Sequence, residues 1–153
     1  MQSFTSDDIC QTYMCSAHTP LCWAAWRGDT VQVHLLLAGR CNKDQGDCND
    51  RTALYWAAQK GHNMVVEQLL AAQCGKDIAD NQLVTPLAAA AKFGRVQVVE
   101  LLLEAHCNPN YADVFGNTAL HMAIMWARRD GNGKAAAVVK LLVAAGCHTD
   151  TVY

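Results

Sequence analysis

Thr85–Asn110 reads TPLAAAAKFGRVQVVELLLEAHCNPN, and its grammar is that of two short helices. Thr85 is a competent N-cap, and Pro86 follows where a helix has no use for an N–H. Leu87, Ala90 and Ala91 then fall at i, i+3 and i+4, which marks one buried stripe on a helix. Gly94 stops that helix in the left-handed conformation that glycine adopts cheaply. A second helix is visible in VQVVELLLEA, and a polar, turn-rich segment closes the unit.

The same grammar recurs on both sides. Thr19, Thr52, Thr85 and Thr118 open Thr-Pro/Ala-Leu triplets, each 33 residues from the next. The stripe returns as Leu21, Ala24, Ala25, as Leu54, Ala57, Ala58 and as Leu120, Ala123, Ile124, and Gly28 and Gly61 end two of these helices. Second helices read VQVHLLLAG, MVVEQLLAA and VVKLLVAAG. NKDQGDCNDR, GKDIADNQLV and NPNYADVFGN lie between units as projecting turns. Four hits in one register specify a repeat architecture.

On these motifs the sequence resembles the ankyrin repeat, over about residues 18–150. The resemblance implies an all-α solenoid of stacked helix-turn-helix pairs with β-turn fingers. Fingers and first helices would line a concave face, with the second helices on the convex back. It also implies a protein-interaction module, with no common catalysis and no cofactor. The expected organisation is an N-terminal cap or irregular segment over 1–17 and one domain over 18–153. Its repeats run over about 18–47, 48–80, 81–113 and 114–150, the last with a seven-residue insertion.

Composition narrows the remaining classes. With 153 residues, 52% of them hydrophobic, and a net charge of −2, the chain suits one soluble domain with a modest core. Its twelve Lys and Arg are scattered, so no basic stripe is expected for nucleic acid. No apolar run approaches the roughly 18 residues a membrane span needs. The start, MQSFTSDDIC, carries two aspartates and no apolar stretch of a secretory signal, which points to cytosol or nucleus. Its Ser-Asp-Asp is a helix-start signal for a cap over unit one.

Eight cysteines invite a more chemical reading. Cys41, Cys74, Cys107 and Cys147 occupy one place in every unit, directly after the second helix. Stacked equivalents lie about 8–10 Å apart, beyond the roughly 7 Å a disulfide allows, and cannot converge on one zinc ion. They are expected to be small buried thiols, unpaired, with no metal bound. Cys48, in GDCND, is expected to be exposed, as a tolerated surface residue or a reactive thiol. Asp130–Ala135, DGNGKA, has neither the first glycine nor the Ser/Thr of a phosphate loop, and Lys134 would fall on a calcium-ligand position. His121 stands in the family's Thr-Pro-Leu-His slot, where the resemblance implies a structural hydrogen bond to a neighbouring turn.

Unit four departs from the pattern. Ala127 replaces the helix-ending glycine, and Val138 corresponds to Val98 at an offset of 40. Seven extra residues are close to two helical turns, so each helix is expected to lengthen by about a turn. The first then runs through HMAIMWARRD to Gly131-Asn132-Gly133, and the second starts near Lys134. Arg128 and Arg129 would stand on the extension, as a contact for an acidic partner or as solvated surface. The last second helix is as apolar as an internal one, so further repeats of a longer chain or a second copy are expected to cover it.

Four columns of the first helices vary while the stripe repeats: Cys22, Tyr55, Ala88, His121; Trp23, Trp56, Ala89, Met122; Trp26, Gln59, Lys92, Met125; Arg27, Lys60, Phe93, Trp126. All four tryptophans fall here. Packing between repeats demands similar residues in every unit, so these side chains are expected to face the groove. Packing of Trp23 or Trp26 under the N-terminal segment, and of Trp126 under a lengthened helix, is the competing reading. The candidate partner-binding set is Trp23, Trp26, Arg27, Tyr55, Trp56, Gln59, Lys60, Lys92, Phe93, Met122, Met125 and Trp126, with Arg51 and Phe115 from the turns. A protein or peptide ligand is the first expectation. The alternative is a reader of methylated lysine, since clustered Trp can enclose a quaternary ammonium; the columns lack the acid it needs.

Overall fold

A computed structural model of the chain describes residues 19–131 and 133–147. The expected N-terminal cap, Cys10, Cys15 and the C-terminal Tyr153 lie outside the described residues. Within them are eight helices and no strand: α1 (Pro20–Arg27), α2 (Thr30–Ala38), α3 (Ala53–Lys60), α4 (Asn63–Ala71), α5 (Pro86–Lys92), α6 (Val96–Glu104), α7 (Ala119–Ala127) and α8 (Lys134–Ala144). Each odd-numbered helix packs on the even-numbered one that follows it. Odd helices stack on odd and even on even, so four hairpins form two parallel rows.

Local chemistry explains the ends. Thr19, Thr52 and Thr85 each accept the N–H three residues on, from Cys22, Tyr55 and Ala88. Thr118 differs: its N–H donates to Nδ1 of His121 at 3.2 Å, so His121 braces its own helix start and not a neighbouring turn. The stripe is buried as expected, and Leu54, Leu87 and Leu120 share the core with Val65, Val98 and Val138 of the second row. Alanine at the third stripe position lets the first helices approach closely. Ala25, Ala58 and Ala91 are each 0% exposed, whereas Ile124 in the same place is 38% exposed, because no unit follows it among the described residues.

Three buried aspartates build the fingers. Asp47, Asp80 and Asp113 each fold one carboxylate oxygen back onto the N–H groups two and four residues on, at 2.8–3.1 Å. Each aspartate N–H in turn donates to the carbonyl four residues later, to Arg51, Val84 and Asn117. The finger is thereby closed by one side chain. Neighbouring fingers are tied by Asn81 N–H to the Asn49 carbonyl and Val114 N–H to the Gln82 carbonyl.

The insertion does not lengthen both helices by a turn. α7 ends two residues later in register than α5, its connecting turn has six residues where units three and two have three and two, and α8 starts two residues early. The helix stops because the Trp126 carbonyl takes both Arg129 N–H (2.8 Å) and Asp130 N–H (3.1 Å), which tightens the chain into a turn. Asp130 then receives Ala135 N–H at 3.0 Å, capping α8 from outside. The second helix does begin at Lys134.

Candidate partner-binding face

The four variable columns do not share one environment. The first points under the following finger. Cys22 is fully buried, with its thiol directed at the Gln45 and Arg51 carbonyls. Burial pushes this thiol up to about 11. Tyr55 is buried likewise; burial, then the adjacent Asp80 carboxylate, raise its phenol to about 12. This column therefore belongs to the packing, and Tyr55 is not a groove residue.

Trp56 is the second correction. It is only 8% exposed, its indole N–H donates to Asp47 Oδ2 at 3.1 Å, and the Arg51 guanidinium lies 4.4 Å above its ring. Arg51 also meets the same carboxylate oxygen at 3.3 Å. Finger and helix are locked together by this trio. A tryptophan at a variable position is here a buttress, because the finger beside it supplies an acceptor that Ala89 has no means to use. Met122, in the same column, is buried as well.

The outer two columns reach solvent. Trp26 is 37% exposed and stacks on half-buried Trp23, ring centroids 5.0 Å apart, with the Lys60 ammonium 5.2 Å over its ring. Arg27 and Lys60 are exposed; Gln59 is half-buried. In the later units, Lys92, Phe93, Met122, Met125, Trp126 and Arg129 line a cleft of about 380 Å³ between α5 and α7. Phe93 is 39% and Met125 59% exposed, and Lys92 lies 5.8 Å over the Phe93 ring. Phe115, at its fingertip, is 79% exposed.

Trp126 has a further task. His62 Nε2 bonds the Trp26 carbonyl (3.0 Å) and Arg95 Nε donates to the Gln59 carbonyl (3.0 Å), so each crosses the helix-ending glycine of the unit before. In unit four the residue in register with them is Arg128, which closes α7. The Trp126 ring covers Gly94 instead, so close that a Cβ on Gly94 would lie 2.0 Å from it. Its competing sequence reading, burial under the insertion, is right about packing but wrong about the cover: the indole presses on the preceding unit.

This arrangement offers no cage for methylated lysine. Trp23 and Trp26 are parallel and in contact, so they are one wall and not two. Arg51 occupies the face of Trp56, and Trp126 rests on Gly94. The described residues also hold no group of three His, Cys, Asp or Glu placed to bind a metal ion, and no helix long and apolar enough to cross a membrane. The thiols after the second helices are free; Cys74, Cys107 and Cys147 are buried, Cys41 is half-buried and Cys48 is exposed.

Sequence reasoning missed several contributors. Arg129, expected on a helical extension as a contact for an acidic partner or as solvated surface, lines the cleft from the turn after α7. Leu83, Tyr111 and Val114 expose apolar surface on the fingers; an apolar residue inside an otherwise polar turn is the signal that marks them.

The chain matches the family model described as ankyrin repeats (3 copies) over residues 3–82 and again over 65–152. No curated protein matches the sequence. The chain belongs to the ankyrin-repeat family, a class of protein–protein interaction modules that are generally not enzymes.

Proposed function

We propose that the chain grips a protein or peptide through the face made by its fingers and first helices, the concave one in this family. The observation that carries this reading is the set of large apolar side chains left in solvent there: Trp26, Phe93, Met125 and Phe115. The second row also exposes apolar side chains, Val31 and Leu35 one turn apart, Met64 and Val143, but no aromatic ring is among them. Trp23, Arg27, Gln59, Lys60, Lys92, Trp126 and Arg129 complete the contact surface, whereas Tyr55, Trp56, Arg51 and Met122 support it from beneath. Free thiols at all six described cysteines fit the cytosol or nucleus as the working compartment. A further repeat or a second copy over the last unit accounts for the exposed Ile124 and Val143.

The test is affinity capture with three forms of the protein: wild type, Phe93→Ala/Met125→Ala, and Met64→Ala/Glu67→Ala on the back. Partners held by wild type are expected to be lost from the first double variant and kept by the second. The reverse pattern would place the binding face on the second helices.

A further inference from the structure

The chemistry of the partner can be read from where the charges lie. The exposed cations Arg27, Lys60 and Lys92 end α1, α3 and α5, and Arg129 stands in the turn after α7. None has a carboxylate within ion-pair distance among the described residues. Two are held by aromatic rings instead, Lys60 by Trp26 and Lys92 by Phe93, an attraction that positions an ammonium while leaving its charge uncancelled.

The acids are engaged elsewhere. Asp47, Asp80 and Asp113 close the fingers. Asp44 and Asp77 take backbone N–H groups of the next unit, Gly75 at 2.7 Å and Asn108 at 3.0 Å. Asp29 and Asp130 cap α2 and α8. All three glutamates, Glu67, Glu100 and Glu104, stand on the second row of helices. Only Asp50, at a fingertip, is left without such a bond among the described aspartates. Four cations without an ion-pair partner among the described residues thus stand beside the exposed aromatics, with the capping carboxylates of Asp29 and Asp130 flanking the outer two.

Resting on the groove reading above, we infer that the partner is an extended acidic segment whose apolar side chain enters the cleft of Phe93, Met125 and Trp126 while its carboxylates meet Arg27, Lys60, Lys92 and Arg129. The spacing fits. Stacked helices lie about 8–10 Å apart, and an extended strand covers about 10 Å in three residues. A carboxylate at every third position, with one aromatic or aliphatic anchor among them, matches the row. Opposite charge would also speed the encounter and make it salt-sensitive.

A displayed library of random peptides of about twelve residues, long enough when extended to span the row, is selected on the wild-type protein. Dissociation constants of the selected peptides are then measured by fluorescence anisotropy. Enrichment of Asp and Glu at three-residue intervals around an apolar residue is expected. Affinity should fall tenfold or more for Lys60→Glu/Lys92→Glu, whose exposed positions leave the fold intact by circular dichroism. Peptides that are neutral or basic, yet weakened by Phe93→Ala/Met125→Ala, would overturn the acidic partner and keep the groove. Peptides indifferent to both double variants, or no enrichment at all, would overturn both readings. Single-stranded DNA bound as tightly as the best peptide, and lost in Lys60→Glu/Lys92→Glu, would replace the acidic peptide by nucleic acid.

Discussion

The seams between units one, two and three are sewn with polar side chains, while the seam between three and four is closed with an aromatic ring. Lys43 and Lys76 each donate to the last carbonyls of the next unit's second helix, at Ala72 and Ala105, and His62 and Arg95 cross to the unit before. At the last seam Pro109 stands where a lysine would be, and Trp126 covers Gly94. Directional bonds fix neighbours at one distance with little apolar surface left over. A flat indole fills the gap by shape, and its free edge becomes the wall of the cleft with Phe93 and Met125. The irregular seam is thus where Phe93, Met125 and Trp126 open a cleft, whereas Trp26 in the first unit is exposed beside Trp23 and Lys60.

The strongest way to break this comparison is at Trp56, which belongs to the sewn half. Trp56→Ala is expected to cost about 3–5 kcal/mol in urea unfolding, since it empties a buried site and strips Asp47 of a donor. A loss below about 1 kcal/mol would show that the finger does not depend on the indole.

Next comes a paired test of the two kinds of seam. Gly61 and Gly94 both have positive φ, 79° and 64°. Gly61→Ala meets the flexible Arg95 side chain, so about 1–2 kcal/mol of left-handed backbone strain is expected. Gly94→Ala adds a collision with a rigid ring, for about 3 kcal/mol in all. Trp126→Ala in the Gly94→Ala background should recover part of the loss, and strict additivity of the two would mean that ring and glycine are not in contact.

Alkaline pH sharpens the picture at intermediate size. Burial raises Cys74 and Cys147 to about 11 and Cys107 to about 12. Their thiols stay protonated in the fold while the unfolded chain releases its protons near the ordinary value of about 8.5. The unfolded state then binds fewer protons, so stability falls as pH rises from about 8.5 toward 11, by up to about 1.4 kcal/mol per pH unit for each thiol. Cys107→Ala should flatten that slope in chemical denaturation from pH 8 to about 10.5, and an unchanged slope would mean that Cys107 ionises freely in the fold. The smallest effect is expected at Met125→Ala, under about 0.5 kcal/mol, because its side chain stands in solvent.

The sequence made the row of helices legible because each unit carries its own punctuation: the Thr caps, the stripe and the terminal glycines act within a few residues. Lys43-Asp44 and Lys76-Asp77 repeat at the same 33-residue interval, yet inside polar turns they look like solvated surface, and only the stacked structure shows them reaching the next unit. Trp56 was misplaced for a related reason. Its column varies, but what buries it is Asp47 of its own finger, a partner that no helical period reveals. Trp126 was misplaced because its contact, Gly94, has no side chain to announce it.

The separate settings of the tryptophans have an optical consequence. Trp56 is shielded with a bonded N–H, Trp26 is open on a stacked pair, and Trp126 stands at the rim of the cleft. A neutral collisional quencher should therefore reach Trp26 first and Trp56 last. Emission from Trp126 alone, isolated by replacing the other indoles with phenylalanine, would shift to the blue as an apolar side chain fills the space beside it, so the protein carries at its irregular seam a native reporter of occupancy.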